Sequence, residues 1–231
     1  KLTDSDDATT KATQSVVLVD PFGYQGGELL PAYVDARGYR PIILFSRTDL
    51  PRYLTERVDT DTYDVLVSSG ARAEDNVETI KEVLQKHSET QGVTIKAFIP
   101  GTESGVRAAA RFGNEYGVIS NDADDSDAYR EKFLMHKKLA EAGLNFADSA
   151  RISSLAHIED WLFRRPDPKA EFILKPPSSA GTDKVFICHD VHSAEEALNE
   201  ILNSRNAFGE PNTYAVIQEK LVGVEYIVDT V

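Results

Sequence analysis

Short apolar runs alternate with amphipathic stretches along the first half of the chain. The apolar runs have the length of buried strands and lie at 16–19, 42–45, 65–67 and 95–99. Between them, apolar residues at helical spacing predict two helices, at 28–37 and 75–86. Their expected buried residues are Leu29, Leu30, Tyr33 and Ala36 in the first helix, and Val77, Ile80, Val83 and Leu84 in the second.

The fourth strand is followed by Thr102, a suitable N-cap for a helix that continues to residue 116. Strands and helices that alternate across short turns are typical of a parallel sheet covered on both faces. The pattern therefore predicts an α/β fold that begins with a Rossmann-like domain over 15–120. Residues 1–14 contain few apolar groups and are expected to be a disordered leader.

The acidic stretch 121–127 marks the predicted domain boundary, and the pattern differs beyond it. A helix is predicted at 127–142, ending at Gly143, and another begins with a capping box at Ser193 and reaches residue 202. The predicted strands of this part lie at 171–175, 184–188, 214–218 and 226–231. Hairpins combined with helices predict an α+β module over 121–231.

Composition excludes several classes of protein. No apolar run approaches the ~18 residues of a membrane span, and a cytoplasmic protein is expected. The net charge of −13 argues against a nucleic-acid partner, because a phosphate backbone repels an acidic surface. Cys188 is the single cysteine, which excludes an intrachain disulfide and a cysteine-based zinc site. Its apolar neighbours predict that it is a buried, unreactive side chain.

A glycine-rich turn at 23–27 follows the first strand. Such a turn can present backbone N–H groups to a phosphate at a helix N-terminus. However, its spacing is not that of a dinucleotide-binding turn, and no acidic residue ends the second strand. A tight turn that packs a helix on a strand is the favoured interpretation, and an NAD(P) site is the minor alternative.

Lys132 lies on the predicted helix 127–142. One face of this helix carries Tyr129, Phe133, His136 and Ala140, and the solvent face carries Arg130, Glu131, Lys137, Lys138 and Glu141. Lys132 is expected at the edge of the buried face, where an ammonium group needs an anionic partner. The alternative is a lysine whose stem is buried and whose charge reaches water.

The segment 172–185 brings a lysine, Lys175, to the very end of an apolar strand and continues into a loop of small residues. Gly181 allows close approach of backbone N–H groups to an oxyanion, and Ser178, Ser179 and Thr182 add hydroxyl donors. Lys175 adds a point charge suited to phosphate. An ordinary long hairpin with an exposed lysine is the alternative.

The segment 216–226 contains the last set of candidates. Main-chain groups of Glu219 and Leu221 are suited to an adenine edge, and Glu225 to ribose hydroxyls. The alternative is a β-turn whose charges face water.

The order of these segments resembles the ATP-grasp superfamily, and looks most similar to its L-amino-acid (dipeptide) ligases and other carboxylate–amine ligases. The motifs that carry the resemblance are Tyr129–Phe133 with Leu139–Gly143, Ile173–Pro176, Ser179–Asp183 and Gln218–Glu225. The segment 100–106 resembles the family's N-terminal domain. On this basis the second module is expected to be an incomplete ATP-grasp domain.

The resemblance implies roles for the candidate residues. Lys132 and Lys175 would contact the ATP phosphates, and the loop 178–184, with Ser178, Ser179, Gly181 and Thr182, would close over them. Gln218 would meet the adenine amino group, although many members have an acid there. The backbone of Glu219 and Leu221 would contact the adenine, and Glu225 the ribose. The loop has one glycine where many relatives have two or three.

The resemblance also implies an enzyme that forms C–N bonds. ATP would activate a small carboxylate as an acyl-phosphate, which a small amine then attacks with displacement of phosphate. The catalytic groups and the Mg²⁺ ligands are expected after Val231, so turnover by this polypeptide alone is not expected. A non-catalytic ATP-binding sensor or scaffold of the same fold is the alternative, and the oligomeric state is left open, a homodimer included.

Overall fold

The structure, a computed structural model, describes residues 13–50, 52–68, 77–167 and 169–228. The chain divides into two compact units between Arg130 and Glu131. Most of the predicted leader and the last three residues of the predicted strand 226–231 lie outside the described residues. The domain limits at 120 and 121 stay predictions.

The first unit is built on a four-stranded sheet in the order β3-β2-β1-β4, with every pair parallel. Its strands are β1 (Gln14–Val19), β2 (Arg40–Phe45), β3 (Asp64–Val67) and β4 (Thr94–Pro100). Its helices are α1 (Leu30–Asp35), α2 (Arg52–Thr55), α3 (Val77–Gln91), α4 (Val106–Glu115) and α5 (Ser126–Arg130). The predicted parallel sheet is therefore confirmed.

Both faces of this sheet are buried, which explains the unbroken apolar runs in its strands. Alternate residues of β1 point to opposite faces, so that Val17 packs with α3 and α4 while Leu18 packs with α1 and α2. The two hydrophobic cores lie one on each side of the sheet.

The helix predicted at 28–37 turns a different set of side chains toward the core than expected. A π-helical turn, Tyr24–Leu29, precedes α1 and rotates the helix that follows. As a result Leu29, Tyr33 and Ala36 are exposed, whereas Pro31 and Val34 are buried with Leu30 beside them. In α3, Ile80 and Leu84 are buried as predicted, but Val83 faces water.

Thr102 stands at the start of the helical segment, as predicted, but its side chain makes no capping hydrogen bond. Its hydroxyl donates to the carbonyl of Asp20 at 2.9 Å, and a 3₁₀ turn (Glu103–Gly105) comes between it and α4. Gly105 is needed at this point, since a Cβ there would lie 2.3 Å from the carbonyl oxygen of Val19. The end of β1 therefore lies directly against the start of α4.

The second unit contains an antiparallel four-stranded sheet in the order β5-β8-β6-β7. Its strands are β5 (Ser149–Ile152), β6 (Phe172–Lys175), β7 (Phe186–Cys188) and β8 (Ala215–Glu219). Its helices are α6 (Lys132–Glu141), α7 (Leu155–Phe163) and α8 (Val191–Leu202). α7 and α8 pack on one sheet face through apolar residues such as Trp161 and Ile201.

The predicted continuous helix 127–142 is broken at Glu131, which has extended backbone angles and acts as the N-cap of α6. Arg130 and Glu131, expected on the solvent face, are only 7% and 4% exposed. Arg130 pairs with Glu103, and the Glu131 carboxylate accepts hydrogen bonds from the first turn of α6. Both charged side chains can be buried because each has a hydrogen-bonding partner inside the protein.

Two further predictions in this unit are wrong in detail. The N-cap of α8 is Asp190, and Ser193 is the third residue of the helix in a reciprocal capping box. Residues 226–228 form no strand and their side chains are exposed. Cys188 is buried as predicted, and burial raises the pKa of its thiol to about 11. In the described parts of the chain, no helix is long and apolar enough to cross a membrane.

Asp20 joins the carboxyl ends of three strands in the first unit. It is fully buried, and its carboxylate accepts from the backbone N–H and the hydroxyl of Ser46 at 2.7 and 2.6 Å, and from Ser104 at 2.8 Å. Burial raises the pKa of this carboxyl, while these hydrogen bonds oppose the increase. Ser46 follows β2 and Ser104 follows β4, so a single side chain holds both loops to the end of β1.

Replacing Asp20 by alanine should therefore destabilise the protein by about 3 kcal/mol, because buried donors lose their acceptor. The free energy of unfolding, measured with urea, tests this. Glu82→Ala, on the exposed face of α3, is the control and should change it by no more than about 0.5 kcal/mol. Equal stability of the two variants would contradict the structural role of Asp20.

Candidate nucleotide-binding site

The first turn of α6 is fully occupied by its own capping contacts. The Glu131 carboxylate accepts from the N–H groups of Phe133 and Leu134, each at 2.9 Å. The N–H of Lys132 donates to the carbonyl of Pro177 at 3.0 Å. Since these donors are satisfied, the N-terminal turn of α6 has no N–H group left for a phosphate. Its contribution to an anion site would be the charge of Lys132.

Lys132 and Lys175 are brought together at one small cavity. The ammonium of Lys132 donates to the carbonyl of Ser179 at 3.2 Å. Both lysines line a cavity of about 30 Å³ with residues of the loop, including Thr182 and Asp183. This volume holds little more than a water molecule. A triphosphate therefore requires the loop 178–184 to move outward.

Lys175 lies half-buried at the end of β6, as predicted. No hydrogen bond or ion pair holds its ammonium among the residues that the structure describes, and burial lowers its pKa. The pKa of His136 is also lowered, first by burial and then by the charge of Lys175. A buried cation that lacks a partner is the chemical condition for anion binding.

The hydroxyl groups of the loop form hydrogen bonds within the protein. Ser179 donates to Asp183 at 2.7 Å and accepts from the N–H of Ala207 at 3.2 Å. Thr182 donates to the carbonyl of Gly181 at 2.6 Å. These two hydroxyls must exchange partners before either can reach a phosphate. In this structure the hydroxyls of Ser179 and Thr182 are therefore engaged within the loop and its neighbours.

Asn206 was not recognised from the sequence, and it anchors this loop. Its amide nitrogen donates to the carbonyl of Ser178 at 2.6 Å, and its oxygen accepts from the N–H groups of Phe208 and Glu210. An asparagine that closes a turn in this way resembles any turn asparagine in the sequence. The contact to a loop 28 residues away is visible only in the structure.

Gln218 lies on the sheet face opposite α7 and α8. It is 7% exposed, and its buried side-chain oxygen has no hydrogen-bond partner among the residues that the structure describes. The imidazole of His136 is close enough for this amide to favour its charged form, but no hydrogen bond of normal geometry joins them. Gln218 pairs in register with Ile173, and Ile173 with the half-exposed Ile187. The Gln218 oxygen thus lies beside two apolar side chains of neighbouring strands.

The remaining candidates are not brought to the lysines by any contact in the described ranges. The N–H of Glu219 donates to the carbonyl of Asp148 at 2.9 Å, and its carboxylate accepts from the N–H of Asp148 at 2.8 Å. Leu221 and Glu225 are exposed in an irregular segment. Their predicted contacts with adenine and ribose stay predictions.

The glycine-rich turn 23–27 is a packing feature, as favoured from the sequence. A Cβ at Gly26 would lie 2.9 Å from the carbonyl oxygen of Gly101, and one at Gly27 would lie 3.1 Å from that of Arg57. The two glycines let the π-helical turn lie directly on neighbouring backbone.

The described side chains include no group of three or more histidine, cysteine, aspartate or glutamate residues that could hold a metal ion. The predicted position of the Mg²⁺ ligands, after Val231, is not tested by this observation. It stays a prediction.

Comparison with known proteins identifies similar chains. The chain is 32% identical over 218 residues to dapdiamide A synthase from Enterobacter agglomerans, which covers 93% of this chain and 48% of that protein. The L-amino acid ligase from Bacillus licheniformis has a similar structure, with a TM-score of 0.56 and 13% identity over 90% of this chain and 44% of that one. No protein-family model matches.

A second similar structure is the biotin carboxylase domain dimer of the Hydrogenobacter thermophilus 2-oxoglutarate carboxylase, crystallised with MgADP and bicarbonate. It has a TM-score of 0.56 and 15% identity over 90% of this chain and 44% of that one. The chain has an ATP-grasp fold. The resemblance and the fold class predicted from the sequence are thus confirmed. The chain spans about half the length of the relatives it matches.

The lowered pKa of Lys175 predicts that ATP binding depends on pH. A phosphate is attracted to the charged ammonium, and a lysine with a lowered pKa loses this charge at a lower pH than an ordinary lysine does. Affinity for ATP, measured by calorimetry between about pH 7 and 10, should therefore fall as the pH rises.

Lys175→Arg should abolish this decrease, since a guanidinium stays charged throughout that range. The matched control is Lys137→Arg, which changes an exposed lysine of α6 and should leave the decrease unaltered. A Lys175→Arg variant whose affinity still falls with pH in the same way would contradict the assignment.

Proposed function

We propose that this chain is the nucleotide-binding part of an ATP-dependent carboxylate–amine ligase. The observation that carries the proposal is that the buried oxygen of Gln218, which has no hydrogen-bond partner among the described residues, lies on the same sheet face as Lys175. Lys175 pairs in register with Val216, two residues before Gln218 on β8, so the two groups are neighbours on that face.

Each group matches a different part of ATP. Ile173 and Ile187 offer apolar area on which a base can lie, and the Gln218 oxygen can accept from an exocyclic amino group. Lys175 and Lys132 supply positive charge for the phosphates. Adenine and triphosphate therefore each have a chemically suitable partner in one unit.

The ligase activity rests on the relatives. One is named as a synthase of dapdiamide A and another as an L-amino acid ligase, and a third was crystallised with MgADP. We infer a reaction in which a small carboxylate takes the γ-phosphoryl group of ATP, with release of ADP, to form an acyl-phosphate. A small amine then attacks the acyl carbon and displaces phosphate, which forms the C–N bond. Mg²⁺ would neutralise phosphate charge during that step. Lys132 and Lys175 would orient the phosphates.

The acyl-phosphate chemistry is proposed to need residues in addition to the nucleotide site described above. A homodimer and a cytoplasmic location stay predictions.

ATP should stabilise the protein against heat, and NAD should not, because ligand that binds the native state raises the melting temperature. Lys175→Met should remove the shift caused by ATP, since it keeps the apolar stem and deletes the charge. Lys137→Met is the matched control and should retain the shift. A shift with NAD that Lys175→Met leaves intact would favour a dinucleotide enzyme instead.

Gln218 should determine the choice of base. Inosine triphosphate has a carbonyl where ATP has an amino group, so it would place two acceptors together at Gln218. We expect about tenfold weaker binding of inosine triphosphate than of ATP, and loss of that difference in Gln218→Met. Gln85→Met changes an exposed residue of α3 and should keep the difference between the two nucleotides. Equal affinities in the unmodified chain would contradict the adenine contact.

A further inference from the structure

Glu131 has more contacts than a helix cap requires. It interrupts the chain between α5 and α6 with φ −102° and ψ 116°, and it is 4% exposed. Besides the N–H groups of Phe133 and Leu134, its carboxylate accepts from the guanidinium of Arg151 at 2.9 Å. A serine or asparagine would satisfy the helix end without this third contact.

Arg151 is itself held in place from two sides. Its guanidinium lies 5.0 Å from the centroid of the Phe133 ring and 4.9 Å from that of Tyr214. Arg151 belongs to β5, which pairs with β8, the strand that carries Gln218. The carboxylate of Glu131 is therefore fixed to the sheet of the second unit through a guanidinium with little freedom of its own.

The residue that follows Glu131 is Lys132. Its backbone N–H donates to the carbonyl of Pro177, and its ammonium donates to the carbonyl of Ser179. Both acceptors belong to the segment that leads from Lys175 into the loop 178–184. The direction of the first turn of α6 therefore sets where the Lys132 charge lies.

The charge balance supports the same role. A buried carboxylate next to Lys132 would lower the positive potential that a phosphate requires. Arg151 compensates that carboxylate at 2.9 Å. The Glu131 carboxylate therefore reduces the positive potential around Lys132 less than an uncompensated carboxylate would.

We propose that Glu131 is a positioning residue for Lys132, and that Arg151 holds Glu131 in the orientation this requires. The inference rests on the proposed binding of ATP. Glu131 touches no nucleotide itself. It acts by fixing the first turn of α6, so that the Lys132 ammonium meets the triphosphate.

The test compares ATP with adenosine, which lacks phosphates, on the full chain by calorimetry or ligand-observed NMR. Glu131→Gln keeps the size of the side chain but loses the ion pair with Arg151. It should weaken the binding of ATP about tenfold and change the affinity for adenosine by no more than about twofold. Arg151→Met should act in the same direction, and Glu131→Asp, which retains a charged cap, should recover part of the ATP affinity.

A double-mutant comparison separates positioning from general stability. In a Lys132→Met background, Glu131→Gln should cause no further loss of ATP affinity, because the residue through which it acts is gone. Glu141→Gln, at the exposed end of α6, is the matched control and should change the affinity for neither ligand. Circular dichroism verifies that each variant is folded.

Equal weakening of ATP and adenosine, or additive losses in the double variant, would overturn the inference while leaving the proposed function intact. If Glu131→Gln does not fold, Arg151→Met decides by the same comparison. Failure of the unmodified chain to bind ATP would overturn both the inference and the proposed function.

Discussion

Burial of apolar area is distributed differently over the two sheets, and the position of the candidate site follows from this difference. In the first unit, helices cover both faces of the parallel sheet, and even the loops at the ends of the strands are closed by Asp20 and by contacts between glycines and backbone. In the second unit, α7 and α8 cover a single face. The other face carries the Lys175 ammonium and the Gln218 side-chain oxygen, which have no hydrogen-bond partner among the described residues, and this is where a ligand can gain energy.

The strands could be predicted from the sequence because buried strands are short apolar runs bounded by turn residues. Helix ends were less accessible. The apolar spacing continues across Glu131, so nothing in the local pattern indicates that the helix stops there; a distant guanidinium and a buried carboxylate decide it. Similarly, a π-helical turn before α1 changed which residues face the core, and no sequence pattern signals such a turn.

The candidate site shows the same division. Lys132, Lys175 and the loop were predicted from the order of motifs, and the structure brings these residues together. The hydrogen bonds inside the loop, and its attachment through Asn206, depend on residues far apart in the chain. Leu221 and Glu225 lie in a segment with no regular structure, where neither the sequence pattern nor the fold defines a position. Local chemistry is therefore readable from sequence, whereas its long-range partners are not.

The backbone of the loop has a kinetic consequence. Thr182 and Lys184 have φ values of 57° and 49°, a region that costs a side chain with a Cβ about 1–2 kcal/mol. Part of the energy of the internal hydrogen bonds is thus offset by strain in the closed state. This strain lowers the cost of opening the loop, and nucleotide binding would exchange one set of hydrogen bonds for another. Association would then follow the opening step, with an observed rate that reaches a plateau as the nucleotide concentration increases.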